Sequence, residues 1–423
     1  MCMGWRVEDK YPNSDKNISI AIISLISFYG FTLSGPYSLG KLVAVTVFGL
    51  WLALGPVVRL GVAPLFYLFA AVVSTLLSAD PWLSVWGLWG TYNTGLICAM
   101  VLIPYWACVD SRHRFGLEVG LRWGGLIMAV VGLAQRVGFF LPFPLPAGDR
   151  AYSTMGSPVY VGAMAALCFP FCKTWLERGL MIGLLWATGS RGAWIATALG
   201  AIYFYWPDIS RRVRIWGLVA AGSVTALAFW IRPLSDLGRV VVWGAAWEAF
   251  KARPWFGWGP GNYLTIAEVY RNPAWDEVYG VTTQDHAHNL FLEAMATGGI
   301  VGLVAMSVLA YTMWIHCRYS RKAQAALLGV FCVGLLNPLP LVAKALCLAL
   351  CASCSSTDGE IKKAVAVGVK QMFLVIFVSV LYITHWDRMV TYYGDTPWSF
   401  SSVKAAFNAG IIKQKIERRN FKL

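Results

Sequence analysis

Long apolar runs recur along the whole chain, separated by mostly short polar turns. They fall near 18–35, 39–56, 61–79, 94–109, 121–141, 159–173, 179–190, 192–206, 215–232, 289–315, 323–340, 341–356 and 364–384. A helix of roughly 20 apolar residues crosses a bilayer. The pattern predicts an all-α polytopic membrane protein with about 12–13 transmembrane helices, since helices satisfy their own backbone groups in lipid. The first run, Ile18–Gly35, shows no small-residue cleavage site and is followed at once by further spans, so it reads as an anchor. One polar stretch stands out by its length, Arg232–Asp285. The predicted organisation is therefore N-terminal helices over 1–231, a large loop over 232–288, C-terminal helices over 289–384 and a basic tail over 385–423.

Composition agrees with the pattern. Hydrophobic residues make up 58% and charged residues 13%, with a mean hydropathy of +0.59. Soluble domains carry about a quarter charged residues. The net charge of +14 invites a nucleic-acid reading, but its placement argues against one. Arg112, Arg114 and Arg122, Lys173 and Arg178, Arg211, Arg212 and Arg214, Arg318, Arg321 and Lys322, and Lys362 and Lys363 fall in short turns on one side. Positive charge in short loops marks the cytoplasmic side. With the N-terminus inside, the large loop lies outside, together with Asp80–Tyr92, Pro142–Pro158 and Ser190-Arg191-Gly192. The tail falls outside by parity, where its lysines break the rule.

The outer side carries the candidate chemistry. Gln284–Gly302 reads QDHAHNLFLEAMATGGIVG and holds two of the five histidines, His286 and His288. Asp285 is the predicted N-cap, which places His288 in the first helical turn. The positive field there disfavours imidazolium and keeps His288 ready to accept a proton. The plainer alternative is a histidine capping a helix at the interface. Glu293, one turn further on, is placed to orient His288 or to pair elsewhere.

Arg191 sits near membrane depth between two short apolar halves. A charge there needs a cavity or a partner unless it snorkels to the interface. Arg239 lies in GRVVVWGAAWEAF, a helical pattern with Trp243 and Trp247 on one side. It is either a surface charge or a second guanidinium in the same outer cavity. Arg136 divides between interfacial snorkelling and a phosphate contact. Trp258 and Tyr263, in the run PWFGWGPGNY, are candidates for contact with a sugar. Arginine forks hold phosphate oxygens without losing charge, and a neutral histidine can deprotonate a hydroxyl. Outside a membrane there is no ATP, so the natural donor is a lipid diphosphate.

Ten cysteines are scattered, mostly within apolar runs. Cys347, Cys351 and Cys354 have no histidine or carboxylate at ligand spacing, so they read as packing residues. No metal or cofactor is expected.

Four stretches carry a family resemblance. His288-Asn289, nine residues, then Gly299-Ile300-Val301-Gly302 is similar to an H-N-x9-G-x-x-G pattern. The others are ATGSRGAW at Ala187–Trp194, GRVVVWGAAWEAFKARPWFGWGPGNY at Gly238–Tyr263, and, more weakly, TMGSPVYVGAMAALCFP at Thr154–Pro170. The chain resembles the bacterial O-antigen ligase and O-antigen polymerase superfamily, which also includes protein O-oligosaccharyltransferases. The resemblance implies a glycosyltransferase-C-like membrane fold in the bacterial inner membrane. It implies transfer of a glycan from undecaprenyl diphosphate to an acceptor hydroxyl, such as lipid A–core, on the periplasmic side. By motif, Arg191 and Arg239 match the family's functional arginines and His288 its functional histidine. Asn289 and His286 flank that histidine as substrate-binding candidates.

The expected reaction is a direct, inverting displacement, with the diphosphate held between Arg191, Arg239 and the helix opening near Asp285. A polymerase or a protein-glycosylating enzyme would share this site and differ in acceptor. A transporter of lipid-linked glycans would need polar residues along a route across the bilayer. Gln135-Arg136 and Lys344 are the prominent buried-looking polar groups, and both lie towards the outer side.

Overall fold

A computed structural model describes residues 12–27, 38–57, 61–87, 94–138, 150–208, 210, 233–271, 273–279 and 284–355. The described residues form helices and turns, with no strand among them. The predicted spans 215–232 and 364–384 and the basic tail lie outside the described residues.

The remaining apolar runs are all helical, with altered ends. They are α1 (Pro12–Ser27), α2 (Ser38–Leu54), α3 (Val62–Leu76), α5 (Leu96–Val101), α6 (Ile103–Ala107), α7 (Arg114–Arg136), α8 (Pro158–Cys168), α9 (Trp175–Thr188) and α10 (Arg191–Tyr205). The short α4 (Pro81–Trp86) precedes α5, its first turn capped by Asp80 accepting from Leu83 N at 3.0 Å. The run at 94–109 divides in two because Pro104, in the first turn of α6, has no N–H to continue α5. After the polar stretch come α14 (Leu290–His316), α15 (Arg321–Gly334) and α16 (Leu341–Ser353). Among the described residues two helical stretches, Ser111–Arg136 and Leu290–Tyr319, are long and apolar enough to cross a membrane, and several shorter helices are apolar. Val62, Phe69 and Leu76 on α3 stay exposed, an outward apolar face suited to lipid.

Three helices build the large loop: α11 (Pro233–Ala252), α12 (Tyr263–Val269) and α13 (Pro273–Tyr279). They share a second hydrophobic core with the start of α14, built from Val242, Ala246, Tyr263, Ile266, Trp275 and Ala296. This corrects the reading of Trp258 and Tyr263 as sugar platforms. Both are buried. Trp258 Nε1 donates to Ala249 O at 3.0 Å and Tyr263 OH donates to Val242 O at 2.7 Å. Large buried aromatics find a partner for their polar end, and here that partner is α11.

The loop is locked to α14 through a break in that helix. Gly299 has φ 64° and ψ −160°, outside helical geometry. In an unbroken helix, Ile300 and Val301 would donate to Ala296 O and Thr297 O. Instead Ile300 N donates to Pro254 O at 2.7 Å and Val301 N to Trp255 O at 3.2 Å. The two released carbonyls accept from Trp258 N at 3.1 Å and Gly259 N at 2.8 Å. All four groups freed by the break are thus satisfied by Pro254–Gly259. From α3, Ser74 Oγ lies 2.7 Å from Phe256 O and 2.8 Å from Thr297 O, its one proton serving either carbonyl.

Such close approach leaves no room for side chains. A Cβ on Gly299 would come within 2.4 Å of Trp255 C, and one on Gly257 within 2.4 Å of Thr297 C. Both glycines also have positive φ. Gly298, between these contacts, has open space around its Cβ position. Left-handed strain of about 1 kcal/mol and overpacking of about 1–3 kcal/mol add up at the two tight sites. Gly299→Ala and Gly257→Ala are each expected to destabilise by about 2–4 kcal/mol, and Gly298→Ala by less than about 0.5 kcal/mol. Thermal unfolding of the three detergent-solubilised variants checks this. A Gly299→Ala protein as stable as Gly298→Ala would reject the lock.

Candidate functional site

The histidine loop is built by two side chains of α14. Asn289 is the N-cap, with extended backbone, and its Oδ1 accepts from Phe291 N at 2.9 Å and Leu292 N at 3.1 Å. Its Nδ2 donates to Leu335 O at 3.0 Å, beyond the end of α15. Glu293 folds back across the first turn. One oxygen accepts from Ala287 N at 2.6 Å and the other lies 3.3 Å from His286 Nδ1.

Two expectations change here. Asp285 is not the N-cap, and His288 is not in the first turn. His288 stands just before the cap at φ 52°, a left-handed conformation that only a few non-glycine residues adopt. Asn289 and Glu293 together hold it in that strained place. Glu293 makes its direct contact with His286 rather than His288. Asn289 is a capping residue joined to the next hairpin, which leaves its amide engaged in the fold rather than offered to a substrate.

The two histidines differ in charge state for physical reasons. His286 is buried at 5% exposure. Burial works against its charged form, but the charge and hydrogen bond of Glu293, with Asp285 behind, outweigh it and raise its pKa. The pKa of His288 is lowered, first by burial and then by the positive charges of His286 and Arg239. Burial and neighbouring charge, rather than the helix field expected from the sequence, are what disfavour imidazolium at His288. Its Nε2 lies 3.3 Å from Gln284 Oε1.

Arg239 reaches this loop from α11. Its Nη2 also lies 3.5 Å from Asn337 Oδ1, in the turn after α15. Asn337 in turn meets α10. A Cβ on Gly192 would lie 2.9 Å from Asn337 Nδ2 and 3.4 Å from Leu336 Cδ1. Gly192 follows Arg191, the first residue of α10. The turn Leu335–Asn337 therefore joins three elements, through Asn289, Arg239 and the start of α10. Arg191, Arg239 and His288, distant in sequence, belong to one region.

The break before Arg191 is made by Thr188-Gly189-Ser190. Gly189 ends α9 in left-handed geometry. Arg150 Nε donates to Thr188 O at 2.7 Å and closes the end of α9. Arg136, by contrast, is exposed at the end of α7, its guanidinium 5.7 Å from the Trp186 ring. That is the geometry of a side chain resting at the rim of the bundle. Its neighbour Gln135 accepts from Ser153 N at 2.7 Å and holds the outer turn before α8. Lys344 and Glu293 line one mainly apolar cavity between α14, α15 and α16. Among the described residues no group of three or more His, Cys, Asp or Glu is placed to hold a metal ion.

Sequence reasoning missed Asn337 altogether. Its visible signal was Asn337-Pro338-Leu339-Pro340, read only as a turn or a broken helix. Comparisons with known proteins bear on the rest. Residues 179–307 match the family described as O-antigen ligase. That segment contains Arg191, Arg239, His288 and the Gly299 break, and leaves out the weaker stretch at Thr154–Pro170. The chain is also 26% identical to the exopolysaccharide production protein ExoQ of Rhizobium meliloti (strain 1021), across 71% of this chain and 76% of that protein. The motifs, the matched segment and the exopolysaccharide relative agree in their resemblance to the O-antigen ligase superfamily.

Proposed function

We propose that the chain is a glycosyltransferase of the bacterial inner membrane that moves a glycan from undecaprenyl diphosphate to an acceptor hydroxyl on the periplasmic face. The observation that carries this reading is His288, its pKa lowered by burial and by the charges of His286 and Arg239, close to the helix start that bears Arg191. His288 takes the proton of the acceptor hydroxyl as that oxygen attacks the anomeric carbon. The bond from that carbon to the diphosphate breaks, and its electron pair leaves with the lipid diphosphate. Arg239 and Arg191 hold the charge that grows on the leaving group. Attack from the face opposite the diphosphate inverts the anomeric centre. His286, paired with Glu293, has a raised pKa, and any positive charge on it favours the neutral form of His288.

In the ligase reading the acceptor is lipid A–core. A second reading, a growing polysaccharide as acceptor, is favoured by the exopolysaccharide relative. Protein acceptors would use the same chemistry. Offering the purified protein an undecaprenyl-diphosphate glycan with lipid A–core, free glycan or acceptor protein in turn separates these readings by product. No product with any acceptor, from a donor of matched glycan, would reject the transferase reading.

His288→Ala is expected to abolish transfer while leaving membrane insertion intact. The lowered pKa of His288 sets the pH profile. A base works deprotonated, so activity is retained above the ordinary histidine value of about 6.5 and lost as pH falls through the lower value in the folded protein. Transfer rates from pH 4.5 to 8 check both. Wild-type turnover in His288→Ala, or an acid limb centred above the ordinary histidine range, would reject His288 as the base.

Charge and shape separate at the arginines. Lysine keeps the charge but not the planar fork. A hydrogen bond to a charged group contributes roughly 1.5–3 kcal/mol, and about 1.4 kcal/mol is tenfold in rate. Arg191→Lys and Arg239→Lys are expected to slow transfer about tenfold to a hundredfold at saturating donor, and alanine to slow it further. A lysine variant as fast as wild type would leave that arginine as a plain surface charge.

Because the arginines supply the positive charge, transfer is expected to proceed without a divalent metal. Assay after exhaustive chelation tests this. Activity lost on chelation and restored by magnesium or manganese would show that the arginines alone do not suffice.

A further inference from the structure

The end of α9 remote from Arg191 carries two cations and one acid, and the acid serves neither cation. Glu177, in the first turn of α9, is bound through both oxygens by Arg122 of α7, with Arg122 Nε 3.0 Å from Oε2. The same Oε2 accepts from the backbone N–H of Lys173 at 2.7 Å. Among the described residues no carboxylate pairs with the Lys173 ammonium or the Arg178 guanidinium. Lys173 is exposed. Arg178 is held in place by aromatic rings instead. Its guanidinium carbon lies 4.7 Å from the centre of the Trp175 ring and 5.4 Å from that of Tyr205, at the end of α10. Rings grip a guanidinium by its face and leave its N–H edge for an acceptor. Of that edge, Nη2 reaches Cys172 O at 3.4 Å.

The surface beside these cations is apolar and open. Trp175 is 81% exposed, Leu176 74% and Ile182 56%. Trp175, Gly179 and Ile182 recur at i, i+4 and i+7, which puts them on one stripe of α9. Gly179 has open space around its Cβ position, so the stripe is notched between its two large side chains. An apolar stripe that ends in cations without acids has the polarity of one phospholipid, acyl chain along the stripe and phosphate at the cations. Two cations with no acid between them match a lipid of net negative charge better than a zwitterionic one. A water-soluble phosphate would meet the cations and leave the stripe bare.

We propose that Lys173, Arg178 and the stripe from Trp175 to Ile182 form a binding site for an anionic phospholipid of the surrounding bilayer. The N–H edge of Arg178 and the Lys173 ammonium donate to the headgroup phosphate, and one acyl chain lies in the notch at Gly179. Because Arg178 also touches Tyr205, the bound lipid joins the start of α9 to the end of α10. The inference rests on the membrane reading of the chain and not on the transfer chemistry, so a failed transfer assay leaves it standing.

The full-length protein, delipidated in detergent, is titrated with phosphatidylglycerol, cardiolipin and phosphatidylcholine, and bound lipid is measured by native mass spectrometry. Wild type is expected to bind the two anionic lipids more tightly than phosphatidylcholine. Lys173→Gln and Arg178→Gln should each weaken anionic lipid about fivefold, and the double variant about thirtyfold, with phosphatidylcholine unaffected. Thermal unfolding before lipid is added checks the fold. Lys173 is exposed and its ammonium has no partner among the described residues, so Lys173→Gln keeps the test open even if Arg178→Gln folds poorly. Arg318→Gln, which removes the same charge from another exposed position, should bind lipid like wild type. Equal affinity of wild type for phosphatidylcholine and phosphatidylglycerol would overturn the site. So would a loss in Arg318→Gln as large as in Lys173→Gln, which would leave Lys173 and Arg178 as ordinary interfacial charges.

Discussion

The exchange of backbone hydrogen bonds at Gly299 is the constraint on which the rest depends. An apolar helix cannot break inside or beside a membrane without leaving two donors and two acceptors bare, each costly away from water. Here Pro254–Gly259 supplies the missing partners one for one. The break in α14 and the fold of the large loop are therefore a single event. Neither segment has a complete set of partners without the other. The second hydrophobic core, with Trp275 and Tyr263 at its centre, then fixes α11 over the start of α14.

That docking sets the electrostatics of the site. Arg239 is carried by α11 and acts on His288, which is carried by the mouth of α14. Glu293, one turn inside α14, anchors His286 and the backbone at Ala287. Two histidines two residues apart are driven in opposite directions, one towards imidazolium and one towards neutral imidazole. Titratable groups pushed apart by their surroundings are the usual basis for assigning acid and base roles. The strained backbone at His288 has the same origin, since Asn289 and Glu293 grip the chain on either side of it.

The turn after α15 closes the arrangement from the opposite side. Leu335 O receives Asn289, Asn337 Oδ1 receives Arg239, and Asn337 Nδ2 faces α10. A turn outside the family-matched segment thus supports groups that lie within it. Its position follows from ordinary helix packing, α10 against α15 and α14 against α16. The packed apolar helices are in this sense the platform that aligns these groups.

Much of this was legible in the sequence. Apolar run length determined where the helices lie, because lipid demands that every spanning backbone group be satisfied within its own segment. The motifs around Arg191, Arg239 and His288 carried the family resemblance and suggested the candidate chemistry. Local pattern failed where a residue's role depends on what faces it. Asp285 and Asn289 are both good N-caps by type, and only the hydrogen bonds to Phe291 and Leu292 distinguish them. Trp258 and Tyr263 carry the composition of a sugar platform, yet α11 and α14 pack over them and make them core. Glu293 is in reach of either histidine by spacing, and the left-handed turn at His288 hands it to His286. Asn337 gave no chemical signal at all, because an amide beside two prolines acquires meaning only when Arg239 and Gly192, each over 90 residues away in sequence, are folded against it. Residue type and periodicity act over a few residues, whereas the charge state of His288 and the task of Asn337 come from long-range contacts that only the tertiary structure decides.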